Sequence, residues 1–374
     1  MNLLAEPPKK RIDAIDILRG LVMAVMALDH TRDFFMVAPY DPTDLTRAST
    51  ILFLTRFITH YCAATFVFLA GTGAFLSLAR GKTKAAAAKF LLSRGLWLIF
   101  LELTVVYAGW GIGELFLQVI WAIGISMMVL AVLIYLPLSV IAGFGLLLIF
   151  GHDAFDHISM ATFTPGEKTW WTFLHVQGMV HLFGHTNVFV MYPLIPWVGV
   201  MATGYSFGKL YTIDAVKRKK ILLTIGIAAI ALFILIRYFG IYGDPEVWTY
   251  QGNIHRTLLS FINVSKYPPS LDYLLVTLGP GMLFLAWVEG KHNIFTNIFV
   301  VYGRVPLFYY ILHLYLLNLL AHIIGAILQL PKGTGLSLGW VYIIWVGVVF
   351  ILYFPCRWFM RYKSTHKQWW LSYL

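Results

Sequence analysis

The sequence predicts an all-α, polytopic integral membrane protein with about ten transmembrane helices, or eleven, in one bundle. Three observations predict it. Hydrophobic residues make up 59% of the 374 residues and charged residues only 12%, against roughly 25% charge in a soluble domain. The mean hydropathy is +0.76. The apolar runs are continuous and about 20 residues long, as helical spans require, and lack the short alternating segments of a barrel. Residues 1–374 are read as a single transmembrane domain.

Spans are expected near 15–37, 51–79, 86–109, 115–136, 138–152, 187–208, 220–241, 270–288, 297–328 and 337–356. The fifth is short, and the second and ninth are long enough to tilt or to extend past the hydrocarbon. Two long outer loops cover 153–186 and 242–269. The first contains TWWTFLHVQGMVHLF, which reads as an interfacial helix with its tryptophans at headgroup depth.

The net charge of +11 is not a nucleic-acid signature. Most of the 28 basic residues fall in alternate connectors: Lys9, Lys10 and Arg11; Arg80, Lys82, Lys84 and Lys89; Lys209 and 217–220; Lys291; and the basic tail 357–374. The positive-inside rule therefore puts both termini in the cytoplasm. Residues 1–8 are polar, so no cleavable signal peptide is expected. Cys62 and Cys356 imply neither a disulfide framework nor redox chemistry. The weakly similar stretches FLAGTGAFLSLARG and VMATGYSFGKLY read as small-residue packing surfaces, not as an inverted repeat.

The first span carries ionisable groups at both ends. At about 100° per residue, Asp16, Arg19, Met23, Met26, His30 and Asp33 share one stripe. Arg19 and His30 are about 16 Å apart along the axis at 1.5 Å per residue. Charges this deep normally face a bundle interior or a water-filled cavity. At the outer end lie Asp29, His30, Arg32 and Asp33, and the second span brings Arg56 and His60 to similar depth. A neutral histidine beside a carboxylate is a general-base arrangement. Asp29 and Asp33 can serve His30 or neutralise Arg32 and Arg56, and the bland alternative is a satisfied core histidine.

The ninth span places Tyr309 and Tyr310 one turn from His313, so a tyrosine–histidine hydrogen bond is expected, with His322 further out. Polar glue between helices explains the same residues. Arg304 precedes Pro306, a residue tolerated in a first turn. Arg19 and Arg94 lie toward the inner face and suit a phosphate or pyrophosphate, unless Arg19 simply pairs with Asp16. Arg94 and Glu102 are two turns apart, so their direct pairing is not assured. Outside, Arg237, Tyr242, Asp244, Lys266, Tyr267 and Ser270 are candidates to line an acceptor site, with Arg32, Trp110, Tyr309, Tyr310 and His313 also assigned to substrate binding. The histidines in His152/Asp153, Asp156/His157 and His181/His185 read as wet surface groups, and no metal is expected. No Walker motif, GxSxG elbow or HExxH occurs.

RIDAIDILRGLVMAVMALDHTRDFF followed by FITHYCAATFVFLAGTGAFL, then YPLIPWVGVMATGYSFG, SKYPPSLDYLLVTLGP and YGRVPLFYYILHLYL, resembles the bacterial branch related to heparan-α-glucosaminide N-acetyltransferase. The similarity runs from residue 11 to about 320. The ten-residue interval between Arg19 and His30 is also similar to the arginine–histidine pattern of membrane acyltransferase family 3. The resemblance implies acyl transfer from cytoplasmic acetyl-CoA, or another acyl-CoA, to an acceptor beyond the bacterial inner membrane. Arg19 matches an arginine of both families. His30 matches the acyltransferase-3 histidine, where the animal N-acetyltransferase holds asparagine, and His60 falls where that enzyme has an aspartate. Its own functional histidine has no counterpart here, which leaves His30 and His60 sharing the base role.

Two readings compete. In the first, a membrane acyltransferase holds the acyl-CoA phosphates on Arg19, Arg94 and Arg304. His30 or His60 acts as base or acyl carrier, with Asp29, Asp33 and Arg56 in the catalytic set, and the acceptor is sugar-like or glycan-like. Membrane lipids are partners, and a homodimer is compatible. In the second, a proton-coupled transporter or flippase uses the same buried charges. A purely structural subunit leaves those charges unexplained.

Overall fold

The computed structural model describes residues 12–111, 113–182, 186–329, 331 and 333–374. The chain opens with α1 (Asp13–Phe35), then α2 (Thr50–Thr59) and α3 (Tyr61–Ala79). Helix α4 (Lys84–Leu101) widens into a π turn at Glu102–Val106 and ends as α5 (Tyr107–Trp110). Strand β1 (Leu115–Leu117) leads to α6 (Val119–Leu133) and α7 (Leu138–Gly151). The next segment holds α8 (Pro165–Leu174), β2 (Gly178–Leu182) and β3 (Thr186–Val190). Then follow α9 (Leu194–Phe207), α10 (Ala215–Phe239), α11 (Ile254–Ile262), α12 (Leu271–Val288), α13 (Ile294–Arg304), α14 (Pro306–Ile327) and α15 (Leu338–Thr365).

Among the described residues, seven helical stretches are long and apolar enough to cross a membrane. They include 50–79, which runs on from α2 into α3 through a tightened turn where the His60 amide donates to Phe57 O at 3.0 Å. This is a membrane protein, and seven of the ten expected spans appear as such helices among the described residues. The difference lies in three places. Helix α1 is 23 residues long and carries six charges; α6 and α9 have only 15 and 14 residues. The expected ninth span still supplies one of the seven, α14, but it breaks after Val305 (φ −132°, ψ 49°), because Pro306 has no amide to continue the ladder and starts a new helix instead.

The all-α expectation needs one further amendment. A small three-stranded sheet in the order β1–β3–β2 pairs β1 parallel and β2 antiparallel to β3. The expected interfacial helix forms only in its first half, at α8. Beyond it GMVHL turns one buried face inward around Val180, a two-residue alternation that suits a strand.

Small residues set the closest helix approaches. A Cβ at Gly303 would stand 1.8 Å from Asp16 O, and one at Gly20 would stand 1.8 Å from Phe299 O. Helices α1 and α13 therefore touch backbone to backbone. The two similar small-residue stretches meet each other: Gly71 of α3 faces Met201 O, Gly204 of α9 faces Phe68 O, and Thr72 Oγ1 donates to Gly204 O at 2.9 Å. Gly303→Ala should lower stability by about 1–3 kcal/mol or more, since the contact is backbone and cannot rotate away. Thermal unfolding in detergent checks this; an unchanged transition would contradict the packing.

After α15 the chain folds back along α4. Ser372 O accepts from Arg94 Nη1 at 2.6 Å, Tyr373 Oη lies 2.6 Å from Ser93 Oγ, and Leu371 is buried. The segment expected as a basic tail is thus helical to Thr365 and then packed.

Candidate functional site

Helix α1 carries one cavity at each end of its polar stripe. The Arg19-side cavity measures about 310 Å³. Arg19, Arg94, Arg304 and Lys363 supply its charge, and Met23, Met26, Leu91, Leu98 and Ile120 are among its apolar walls. The His30-side cavity measures about 340 Å³ and is lined by Asp29, His30, Arg32, Asp33, Arg56 and Lys266, with Trp110, Phe116, Tyr192 and Tyr267 as aromatic walls. Met26, Phe66 and Val119 line both cavities.

The Arg19 side is held by local pairing. Arg19 donates to Gly303 O at 3.1 Å and lies 3.4 Å from Asp16. Arg304 donates to Asp13 at 3.1 Å, with Asp16 3.5 Å away. The close approach of α1 and α13 is what brings these two arginines to one place. Glu102 lies apart from Arg94 and accepts from the Gln118 amide at 2.8 Å.

His30 is oriented by a second histidine rather than by a carboxylate. His30 Nδ1 lies 2.7 Å from His313 Nε2, and His313 Nδ1 lies 3.2 Å from Tyr309 O. A carbonyl oxygen only accepts, so His313 Nδ1–H is the donor there. Neutral His313 then presents a lone pair at Nε2, and His30 Nδ1–H donates to it. His30 Nε2 is left unprotonated. The expected tyrosine hydroxyl contact does not form, because the Tyr309 backbone carbonyl takes its place. Tyr310 stands edge-on to His30 at 6.1 Å while lining the Arg19-side cavity. Trp110 meets His30 edge-on at 4.9 Å; it is placed by the turn at Gly111 (φ +65°) and by Asn318 Nδ2 donating to Gly109 O at 3.1 Å.

The carboxylates serve the cations. Asp29 accepts from Arg56 Nη1 at 2.7 and 2.9 Å and lies 2.7 Å from Arg32 Nη2, with Lys266 Nζ at 3.8 Å. Asp33 takes Arg32 Nη2 at 2.7 Å. His60 stands elsewhere: it is buried at the join of α2 and α3, its ring 5.6 Å from that of Tyr273, whose hydroxyl donates to His60 O at 2.6 Å. It does not line the cavity of His30. Arg237 is also outside that cavity. It donates to Phe261 O at 2.9 Å and Glu246 O at 2.6 Å and so ties down the 242–269 loop. Asp244 completes the knot, accepting from the Ser265 amide at 2.8 Å and Ser270 Oγ at 2.7 Å. That knot is what carries Lys266 and Tyr267 over the cavity.

Tyr267 registers the local field. Burial opposes ionisation of its phenol, yet Lys266 and Arg56 hold it below its ordinary pKa. Tyr192, Phe116 and Gln118 also line the cavity, and the sequence reading passed over them. Only the alternation through 186–190 and the proline at 193 signalled that a strand and turn would deliver Tyr192 there. His152 contacts Pro269 O at 2.7 Å and Asp153 at 2.8 Å, and His175 contacts Asp156 at 2.8 Å. His152 and Asp153 are buried rather than the wet surface groups expected, and these pairs fasten loops. His181 Nδ1 lies 2.7 Å from Asn187 Oδ1, and His185 falls outside the described residues.

Residues 11–250, well over half of the chain, match the family described as heparan-alpha-glucosaminide N-acetyltransferase, catalytic. No curated protein matches the chain.

Proposed function

The chain belongs to the heparan-alpha-glucosaminide N-acetyltransferase catalytic family, and from that premise we propose that it moves an acetyl or other acyl group from acyl-CoA to an acceptor on the opposite membrane face. The observation that carries this reading is the pair of cavities meeting at Met26, Phe66 and Val119, one rich in arginine and one holding His30. The basic connectors lie at the Arg19 end, which supports a cytoplasmic donor side. There Arg19, Arg94, Arg304 and Lys363 take the donor phosphates. The pantetheine arm follows the apolar walls past Met23 and Met26, and the thioester reaches His30.

His30 Nε2 removes the proton of an acceptor hydroxyl or amine as that atom attacks the thioester carbonyl. The new bond forms, and the carbonyl oxygen becomes an oxyanion within reach of Arg56, Lys266 or Trp110 donors. Collapse breaks the carbon–sulfur bond, and the departing thiolate takes the proton from His30. His313 holds the Nδ1–H of His30 throughout, so the transferred proton arrives and leaves at Nε2.

Purified protein with radiolabelled acetyl-CoA and a sugar panel tests the proposal. Thiol release matched by label on a sugar supports it. Intact acetyl-CoA, together with sugar uptake into proteoliposomes lacking any acyl-CoA, would place the chain among transporters instead. Arg94→Ala should raise the KM for acetyl-CoA roughly ten- to hundredfold, because a charge-assisted contact contributes about 1.5–3 kcal/mol. The acceptor KM should stay put; a change confined to the acceptor would contradict the assignment.

A further inference from the structure

Three cations, Arg32, Arg56 and Lys266, line the His30-side cavity against two carboxylates, Asp29 and Asp33. With the histidines neutral, the cavity holds one positive charge in excess. Two of these cations are short of partners. Arg32 is 6% exposed, and its Nη1 has no hydrogen-bond partner, although Nη2 meets both carboxylates. Lys266 is 7% exposed, and its nearest carboxylate oxygen, on Asp29, is 3.8 Å away, beyond a good hydrogen bond. A buried guanidinium or ammonium with unused donors is costly unless a ligand completes it.

We propose that the acceptor is an anionic sugar, whose carboxylate or phosphate seats between Arg32 and Lys266 while one of its hydroxyls is presented to His30. The inference rests on the acyltransferase reading and deepens it. Arg56 is tethered to both Asp29 oxygens through Nη1 and is assigned to the oxyanion, so Arg32 Nη1 and Lys266 Nζ are the donors assigned to the anion. Tyr192, Tyr267, Phe116 and Trp110 offer apolar faces for the ring. The same excess charge works against binding of a protonated amine, so a hydroxyl of the anionic sugar is the group assigned to His30. An amino sugar enters this cavity as a like charge beside Lys266 and Arg56. Both cavity carboxylates are already engaged by guanidinium groups, Asp29 by Arg56 and Arg32 and Asp33 by Arg32.

Equilibrium binding to the full chain in detergent, at fixed ionic strength, tests this with methyl glucuronide, glucose 6-phosphate, methyl glucoside and glucosamine. At least one of the two anionic sugars should bind tenfold or more tighter than the neutral glucoside, and glucosamine should bind weakest. The tighter of the two tells carboxylate from phosphate. Lys266→Gln should reduce the anionic advantage to within twofold, whereas Lys266→Arg should keep it. Equal affinity for all four sugars, tightest binding of glucosamine, or an undiminished preference in Lys266→Gln would each overturn the proposal. Because the readout is binding, a preference found without any acyl transfer would sink the acyltransferase reading and leave the anion site standing. Transfer without a charge preference would do the reverse.

Discussion

His30→Ala is expected to lose acyl transfer by about 10²- to 10⁴-fold in kcat, the usual contribution of a positioned general base. The loss should fall on kcat and spare donor binding, because the arginines assigned to the donor line a different cavity. His30 is surrounded by His313, Trp110 and Tyr310, and truncation leaves those neighbours in place. Thiol release under saturating acetyl-CoA measures the rate, and retention of labelled acetyl-CoA on the variant measures the donor site. A variant that binds the donor and turns over normally would remove His30 from the chemistry. His60→Ala is the informative companion. His60 packs on Tyr273 away from the cavity, so it should alter stability more than rate.

The second large effect concerns His313. Replacing it with leucine removes the acceptor for His30 Nδ1–H and leaves a buried donor unsatisfied. The penalty is about 1–3 kcal/mol, or roughly ten- to hundredfold in rate if it is expressed in the transition state. It also frees the imidazole to adopt the other tautomer, which points a proton where a lone pair is needed. Glutamine at this position restores an acceptor oxygen near the place of Nε2. His313→Gln should therefore recover most of the rate lost in His313→Leu, with the KM of both substrates little changed. A packing role would not separate the two variants. Equal rates in both would show that the histidine pair does not set the tautomer.

Much of this arrangement was legible in α1 alone. The helical period put Arg19, Met26 and His30 on one stripe, and the structure places one cavity at each end of it with Met26 between. Arg94 and Arg304 join Arg19 because they occupy comparable depth in spans that the hydropathy already identified. The contact between His30 and His313 was not legible, since 283 residues separate the partners and helix packing decides it. That packing depends on Gly20 and Gly303, whose spacing gives no hint of which helices will touch. His60 misled for a related reason. Depth and chemistry put it beside His30, but the tightened turn at the end of α2 rotates it toward α12. The sheet was hidden by short strands inside an aromatic loop, where five-residue alternation competes poorly with the helical start of the same stretch.

In the proposed reaction, donor and acceptor meet across Met26. Met26 is 5% exposed and lines both cavities, so Met26→Trp fills the place where the two share a wall while leaving every charged residue in the sequence. The decisive measurement is acyl transfer by this variant alongside separate binding of acetyl-CoA and of the acceptor. We predict that both ligands still bind, acetyl-CoA less tightly because its pantetheine arm passes this position, while transfer falls by about a hundredfold more than donor binding does, the cost of holding reacting atoms about 1 Å out of place. Undiminished transfer with both ligands bound would mean that the two cavities are not two ends of one reaction path.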